Sequence, residues 1–225
     1  AGHGRPLSHE NKQEIPSGLK SKYLSMIIDL LRGRFLYNNI LITPACTCKC
    51  VMCNFWRMKK AYMTKETFNQ TMNTLERLGS HSISLSGGEP MLHPNYYDYA
   101  KTANKRGFYI NNPTNGTLLN QKNVQKLKQA QIDSVFVSID SLNPKISAWI
   151  RGFPNQLNLA LNGIKLLKKH KIPTSAITIL GRHNLHEFKD IVTQMDEVYD
   201  TATILCFPDP SVGSLDKTSF NGTPN

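Results

Sequence analysis

The sequence predicts an α/β fold built on a parallel sheet that closes wholly or partly into a barrel. Two observations carry this. Strand-like and helix-like segments alternate strictly from residue 36 to residue 207, and strict alternation implies parallel strands joined by right-handed helical crossovers. The segments richest in chemistry-bearing residues all fall at the C-terminal ends of the strands, the face on which such barrels carry their sites.

The elements follow in order. Leu36–Thr43 is an apolar strand running into a cysteine-rich loop. Thr64 caps a helix whose Phe68, Met72, Leu75 and Leu78 form one face, with Gly79 as its stop. His81–Leu85 is the second strand and enters a Gly-Gly turn, followed by a helix over Asn95–Arg106 that ends at Gly107. Phe108–Asn111 is strand and Asn120–Ala130 helix; Ser134–Ile139 is strand and Gln156–His170 helix, with Leu157, Leu161, Ile164 and Leu167 inward. Pro173–Leu180 is the fifth strand. Asn184 and Glu187 have the spacing of a capping box before a helix carrying Phe188, Ile191, Val192, Met195 and Val198. Thr201–Phe207 is the sixth strand.

The flanks read differently. Residues 1–35 are a polar arm followed by an amphipathic segment, residues 36–207 are the core, and residues 208–225 are a tail rich in Pro, Gly, Ser, Thr and Asn. Within 19–32, Leu19, Tyr23, Met26, Ile27, Leu30 and Leu31 recur at helical spacing among Lys20, Lys22 and Arg32. Such a helix either packs on the outside or bottom of the domain or rests on a membrane surface. The apolar run from Tyr23 to Leu31 is too short to span a bilayer. No helix is visible after the sixth strand, and an uncovered parallel edge predicts that the native chain continues or that this copy is cut short.

The 225 residues carry 27 Lys and Arg against 16 Asp and Glu, a net charge of +11. That favours anionic partners: nucleic acid, phosphorylated substrates or an acidic membrane surface. Lys122–Lys128 and Lys165–Lys171 read as solvated helix faces, and no basic cluster interleaved with aromatics marks an RNA platform.

Five cysteines are present, four of them in the loop after the first strand: Cys46, Cys48, Cys50 and Cys53. An odd, crowded set is a poor disulfide framework. A zinc site wants four ligands, usually as separated pairs, and Cys48 sits awkwardly between Cys46 and Cys50. Cys48 and Cys206 read as plain buried thiols. Read instead as Cys46-x3-Cys50-x2-Cys53, the loop offers three thiolates to a cubic iron–sulfur cluster and leaves its fourth iron open. Free thiols and a reducing cluster point to the cytoplasm.

That spacing, followed by Leu85-Ser86-Gly87-Gly88-Glu89-Pro90, then Thr114-Asn115-Gly116-Thr117, Val137-Ser138-Ile139-Asp140 and Arg151-Gly152, resembles the radical S-adenosylmethionine (radical SAM) superfamily of CxxxCxxC type. The resemblance covers about residues 36 to 207. It implies a partial (βα)6 TIM-like barrel, preceded here by the N-terminal helical extension read from the spacing at 19–32, with a [4Fe-4S] cluster on Cys46, Cys50 and Cys53 and S-adenosyl-L-methionine (SAM) on the open iron. It implies reductive cleavage of SAM to a 5′-deoxyadenosyl radical that abstracts hydrogen from a substrate. It further implies SAM contacts from Gly87, Gly88, Glu89, Asn115, Ser138, Asp140 and Arg151.

Within that set, Glu89 matches the SAM ammonium in charge, and Gly87 and Gly88 allow close backbone approach. Arg151 has the guanidinium fork for the SAM carboxylate, yet reads almost equally as a surface residue of a Gly-Phe-Pro loop. Asn115 reads as readily as a turn residue, and Asn184 as a helix cap. Many relatives have an aromatic residue where Met52 stands, so Phe55 or Trp56 is left to pack on the adenine. The implied partners are a reductant such as flavodoxin or ferredoxin and a small-molecule, lipid or peptide substrate, with a possible peripheral membrane contact. Two other classes stay open: a non-catalytic iron–sulfur electron carrier and a zinc-stabilised nucleic-acid-binding module.

Overall fold

The computed structural model describes residues 37–206, together with Leu24, Ile27, Ile28, Leu31 and Gly33 of the preceding segment. Six strands, β1 (Asn38–Thr43), β2 (Ser82–Gly87), β3 (Tyr109–Thr114), β4 (Ser134–Ser138), β5 (Thr174–Ile179) and β6 (Ala202–Cys206), form one sheet in sequence order. All five neighbouring pairs are parallel. Among the described residues β1 and β6 each pair on one side only, so the barrel is open.

The crossovers are helical: α1 (Lys65–Arg77), α2 (Tyr96–Lys105), α3 (Gln121–Gln129), α4 (Pro144–Arg151) with α5 (Gln156–Lys169), and α6 (Phe188–Glu197). Local chemistry explains their ends. The Thr64 hydroxyl accepts from Thr67 N at 3.1 Å and the Asn120 amide oxygen from Asn123 N at 3.0 Å, each meeting an otherwise orphan donor. Gly79 and Gly107 follow α1 and α2 with positive φ of 68° and 85°. Phe68, Met72 and Leu75 of α1 are buried as expected; Leu78 is not, because it is the C-cap and turns out to solvent.

The core lies between the helices and one face of the sheet. Ile83, Leu85, Ile110, Val135 and Val137 pack there against Phe68, Met72, Tyr96, Tyr99, Leu127 and Leu167. The opposite face lines the barrel and is mixed, with Leu41, Phe136 and Ile177 beside a row of polar residues. Asn39, Ser84, Asn111 and Ser134 are register partners in one row across β1–β4. Ser134 donates to Asn111 and Ser86 to Asn39, while the buried Ser84 hydroxyl has no partner.

Two expectations are corrected here. Residues 144–151 form a helix, α4, where a loop was expected around Arg151. Pro144 sits in its first turn and the Asn143 side chain caps Lys145 N at 2.9 Å, but the segment is too short for periodicity to announce it. Asn184 and Glu187 do not form a capping box. Asn184 opens a 3-10 turn, Leu185–Glu187, and its amide nitrogen reaches Asp140 O at 2.7 Å and Ile179 O at 2.9 Å. The Glu187 carboxylate instead accepts from Ser141 Oγ at 2.8 Å and Leu142 N at 2.9 Å, stitching α6 to the β4 exit. Phe188 and Val198, placed on the apolar face by spacing, are exposed; Ile191 and Met195 hold α6 to the sheet.

Candidate functional site

Thr43 ends β1 at a register shift in its pairing with β2. The chain then turns through Pro44 and Ala45 into the cysteine loop. Two glycines let that loop lie against the β2 exit. A Cβ on Gly87 would stand 2.0 Å from Thr43 O, and one on Gly88 2.5 Å from both Ala45 O and Pro44 O. Backbone bonds close the contact, Gly88 N to Thr43 O at 2.9 Å and Glu89 N to Ala45 O at 2.7 Å. The close approach expected at these glycines is therefore made first by the cysteine loop itself.

A second clamp comes from α4. Lys49 N donates to Arg151 O at 3.0 Å and Val51 N to Ile150 O at 2.9 Å. Gly152, at φ +57°, ends the helix where a Cβ would meet Lys49 O at 2.4 Å. Trp56 closes the far side, donating from Nε1 to Cys50 O at 3.3 Å under the Arg57 guanidinium. Trp56 thus braces the loop backbone.

All four cysteines of the loop are free thiols. Cys46 Sγ accepts from Cys48 N at 3.4 Å and Asn115 Nδ2 at 3.5 Å; Cys53 Sγ accepts from Phe55 N at 3.5 Å. Cys46 is held down to about 6, first by the hydrogen bond from the Cys48 thiol. Cys50 is held down to about 7 by the same thiol, with the Arg151 charge helping against burial. Cys48 takes the opposite shift: the neighbouring Cys46 and Cys50 sulfurs, then burial, drive its own pKa up. Burial pushes Cys53 up. Among the described residues no three Cys, His, Asp or Glu side chains converge as ligands of one ion. A cubane takes one thiolate per iron, so its ligands need not converge on a point.

Glu89 is fully buried. Its carboxylate accepts from Thr114 Oγ1 at 2.9 Å, Asn115 N at 3.0 Å and Met91 N at 3.4 Å, joining the β2 exit to the β3 exit. Burial outweighs these bonds and pushes its pKa up to about 7. Asn115 is more than a turn residue, since its side-chain nitrogen also meets Thr47 Oγ1 at 2.9 Å. Ser138 ends β4 half-buried. Asp140, buried, accepts from Ile179 N at 2.9 Å through Oδ1 and lies 2.5 Å from Arg151 Nε through Oδ2. That contact is a close ion pair and not an aligned hydrogen bond, for neither Nε nor Oδ2 has a hydrogen-bond partner. Arg151 is buried, against the surface reading; burial opposes its charge, but Asp140 and Cys50 outweigh it and hold its pKa up.

The structure therefore brings Cys46, Cys50, Cys53, Gly87, Gly88, Glu89, Asn115, Ser138, Asp140 and Arg151 to one end of the barrel. Sequence reasoning gave no site role to three further members. Thr47 and Thr117 share a hydrogen bond of 2.6 Å that ties the cysteine loop to the β3 exit. Gln156, fully buried, donates to Asn115 O at 2.6 Å and Ser138 O at 2.9 Å and accepts from Ser147 Oγ at 2.9 Å. Its signal was present: a Gln on the apolar face of α5, in line with Ala160 and Gly163.

Comparison with known proteins agrees with this geometry. A family model of the radical SAM superfamily matches residues 40–195. The chain is 30% identical over 149 residues to an AdoMet-dependent heme synthase of Methanosarcina barkeri, covering 65% of this chain and 43% of that protein. It superposes on Streptococcus suis SuiB bound to S-adenosylmethionine with a TM-score of 0.70, at 13% identity, over 92% of this chain and 48% of that one. For native anSMEcpe with bound AdoMet the TM-score is 0.65, at 16% identity, over 77% and 52%. The chain spans less than half the length of the curated relatives it matches.

Proposed function

Because the chain belongs to the radical SAM superfamily, whose members use a [4Fe-4S] cluster and SAM, we propose that it is the core of an enzyme that cleaves SAM reductively and passes the radical to a substrate. The observation that carries this is the cysteine loop, held at the barrel mouth with N–H donors already directed at Cys46 and Cys53. Cys46, Cys50 and Cys53 would hold the cluster. When bound there, the cluster would supply the electron for reductive cleavage of SAM to methionine and a 5′-deoxyadenosyl radical. Cys48 stays outside the ligand set, because the three-ligand spacing uses Cys46, Cys50 and Cys53, and beside Cys46 and Cys50 its own pKa is driven up. This count of three speaks against an electron carrier, which normally uses four.

The remaining residues position. The backbone of Gly87, Gly88 and Glu89 and the side chains of Asn115 and Ser138 are the SAM-contacting set. The Glu89 carboxylate acts by holding Thr114 and Asn115 in place, and Asp140 and Arg151 act from behind the loop. The polar row Asn39–Ser84–Asn111–Ser134 lines the barrel interior and suits a substrate rich in hydrogen-bonding groups. The reductant is a small electron-transfer protein of the flavodoxin or ferredoxin kind.

The test is direct. Anaerobically reconstituted protein reduced with dithionite should release 5′-deoxyadenosine and methionine from SAM in near-equal amounts, measured by liquid chromatography, and Cys46→Ala should not. Cluster-loaded protein that yields no 5′-deoxyadenosine, even with cell extract present, refutes the reading.

The N-terminal segment supports a membrane contact. Leu24, Ile27, Ile28 and Leu31 are helical and exposed in the structure; Leu19, Tyr23, Met26 and Leu30 lie outside the described residues. Among the described residues no helix is long and apolar enough to cross a membrane. Beside Lys20, Lys22 and Arg32 this stripe suits an anionic surface. The protein should sediment with phosphatidylserine vesicles more than with phosphatidylcholine vesicles, less so in high salt; equal sedimentation with both removes the proposal.

A further inference from the structure

We propose that the buried Arg151–Asp140 pair sets the reduction potential of the cluster held by Cys50. The inference rests on the cluster reading above and goes beyond it, giving Arg151 an electrostatic task toward the cluster. Arg151 is the last residue of α4, and its Nη1 stands 3.9 Å from Cys50 Sγ. Its Nε is 2.5 Å from Asp140 Oδ2. The positive member thus faces the ligand sulfur and the negative member lies behind it.

Both charges are locked. Asp140 is anchored by Ile179 N on its Oδ1 and by Asn184 on its backbone carbonyl. Arg151 O and Ile150 O receive the cysteine-loop amides of Lys49 and Val51. A guanidinium engaged in this way is poorly placed to leave for the carboxylate of a ligand. With side-chain exposures of 8% and 0%, the pair acts through a low dielectric, where a fixed charge is felt strongly. Reducing a cluster adds negative charge, so a nearby cation raises its potential and a nearby anion lowers it. Arg151 should hold the potential up and Asp140 should trim that effect.

The two members can be separated by sign. The experiment is an EPR-monitored redox titration of reconstituted protein without SAM, with iron and acid-labile sulfide measured on each sample. R151M should shift the midpoint to a more negative value, D140N should shift it to a less negative one, and R151K should stay near wild type. A purely structural role would not produce shifts of opposite sign. Unmoved potentials, shifts of the same sign in R151M and D140N, or loss of the cluster in R151M, R151K and D140N alike would overturn the proposal. If the wild-type protein itself loads no cluster, it is the cluster reading that fails.

Discussion

Cys46→Ala, Cys50→Ala and Cys53→Ala should each reduce the iron and acid-labile sulfide of anaerobically reconstituted protein to background, while Cys48→Ala keeps both. Each of the three would supply one of the cluster's protein ligands, and the loop offers no substitute. Cys48 is buried beside them, and the neighbouring Cys46 and Cys50 sulfurs together with burial drive its pKa up. Alanine there keeps the backbone donor to Cys46 and removes at most one S–H hydrogen bond, a loss of about 1 kcal/mol, against the loss of a covalent ligand in the other three. Loading should therefore be weaker in Cys48→Ala at limiting iron and equal at saturation. Background iron in Cys48→Ala, or full iron in Cys53→Ala, would show that the ligand set is wrongly drawn.

The same loop shows what a sequence can disclose. Cysteine spacing is local, so the crowding of Cys46, Cys50 and Cys53 in one loop was legible, as were the strand ends that carry Glu89, Asn115, Ser138 and Asp140. Strand and helix order was legible for a similar reason: burial on one face writes a period of two or 3.6 into each segment. What escaped was contact between segments far apart in sequence. Arg151 read almost equally as a surface residue because α4 is only eight residues long and its burial comes from the cysteine loop and the β4 exit. Asn184 and Glu187 had the spacing of a capping box, yet their side chains serve Asp140 and Ser141 some forty residues back. Local hydrogen bonding had competed with tertiary partners and lost. The lysines of α3 and α5 show the converse. Lys122, Lys128, Lys165 and Lys169 are exposed, as a solvated helix face requires. The positive balance is therefore spread over helix surfaces, and the cysteine loop and the segment after it carry a share of it in Lys49, Arg57, Lys59 and Lys60.

The glycines at that mouth make the last expected result. Gly87→Ala should destabilise the protein far more than Gly107→Ala. Both glycines have positive φ, 152° and 85°, where an L side chain costs about 1–2 kcal/mol. They differ in surroundings. A methyl group on Gly107 has no neighbour within 4 Å, whereas one on Gly87 would stand 2.0 Å from Thr43 O, 3.1 Å from Thr43 C and 3.2 Å from Thr43 N. Backbone cannot swing aside as a flexible side chain can. Thr43 is also held on its own side, since its hydroxyl donates to Ala61 O at 2.7 Å and accepts from Ala45 N at 3.1 Å. Overpacking of this kind adds about 1–3 kcal/mol to the strain, so Gly87→Ala should lose about 3 kcal/mol or more. At this chain length that is roughly 6–12 °C or more in melting temperature, against roughly 2–8 °C for Gly107→Ala. The damage in Gly87→Ala should extend to the site. Moving Thr43 away from β2 strains the bonds from Gly88 N to Thr43 O and from Glu89 N to Ala45 O, and these hold the cysteine loop on the barrel. Iron loading should fall in Gly87→Ala and stay at the wild-type level in Gly107→Ala. Equal melting temperatures for the two variants, with equal iron, would mean that the loop does not lie against the β2 exit as described.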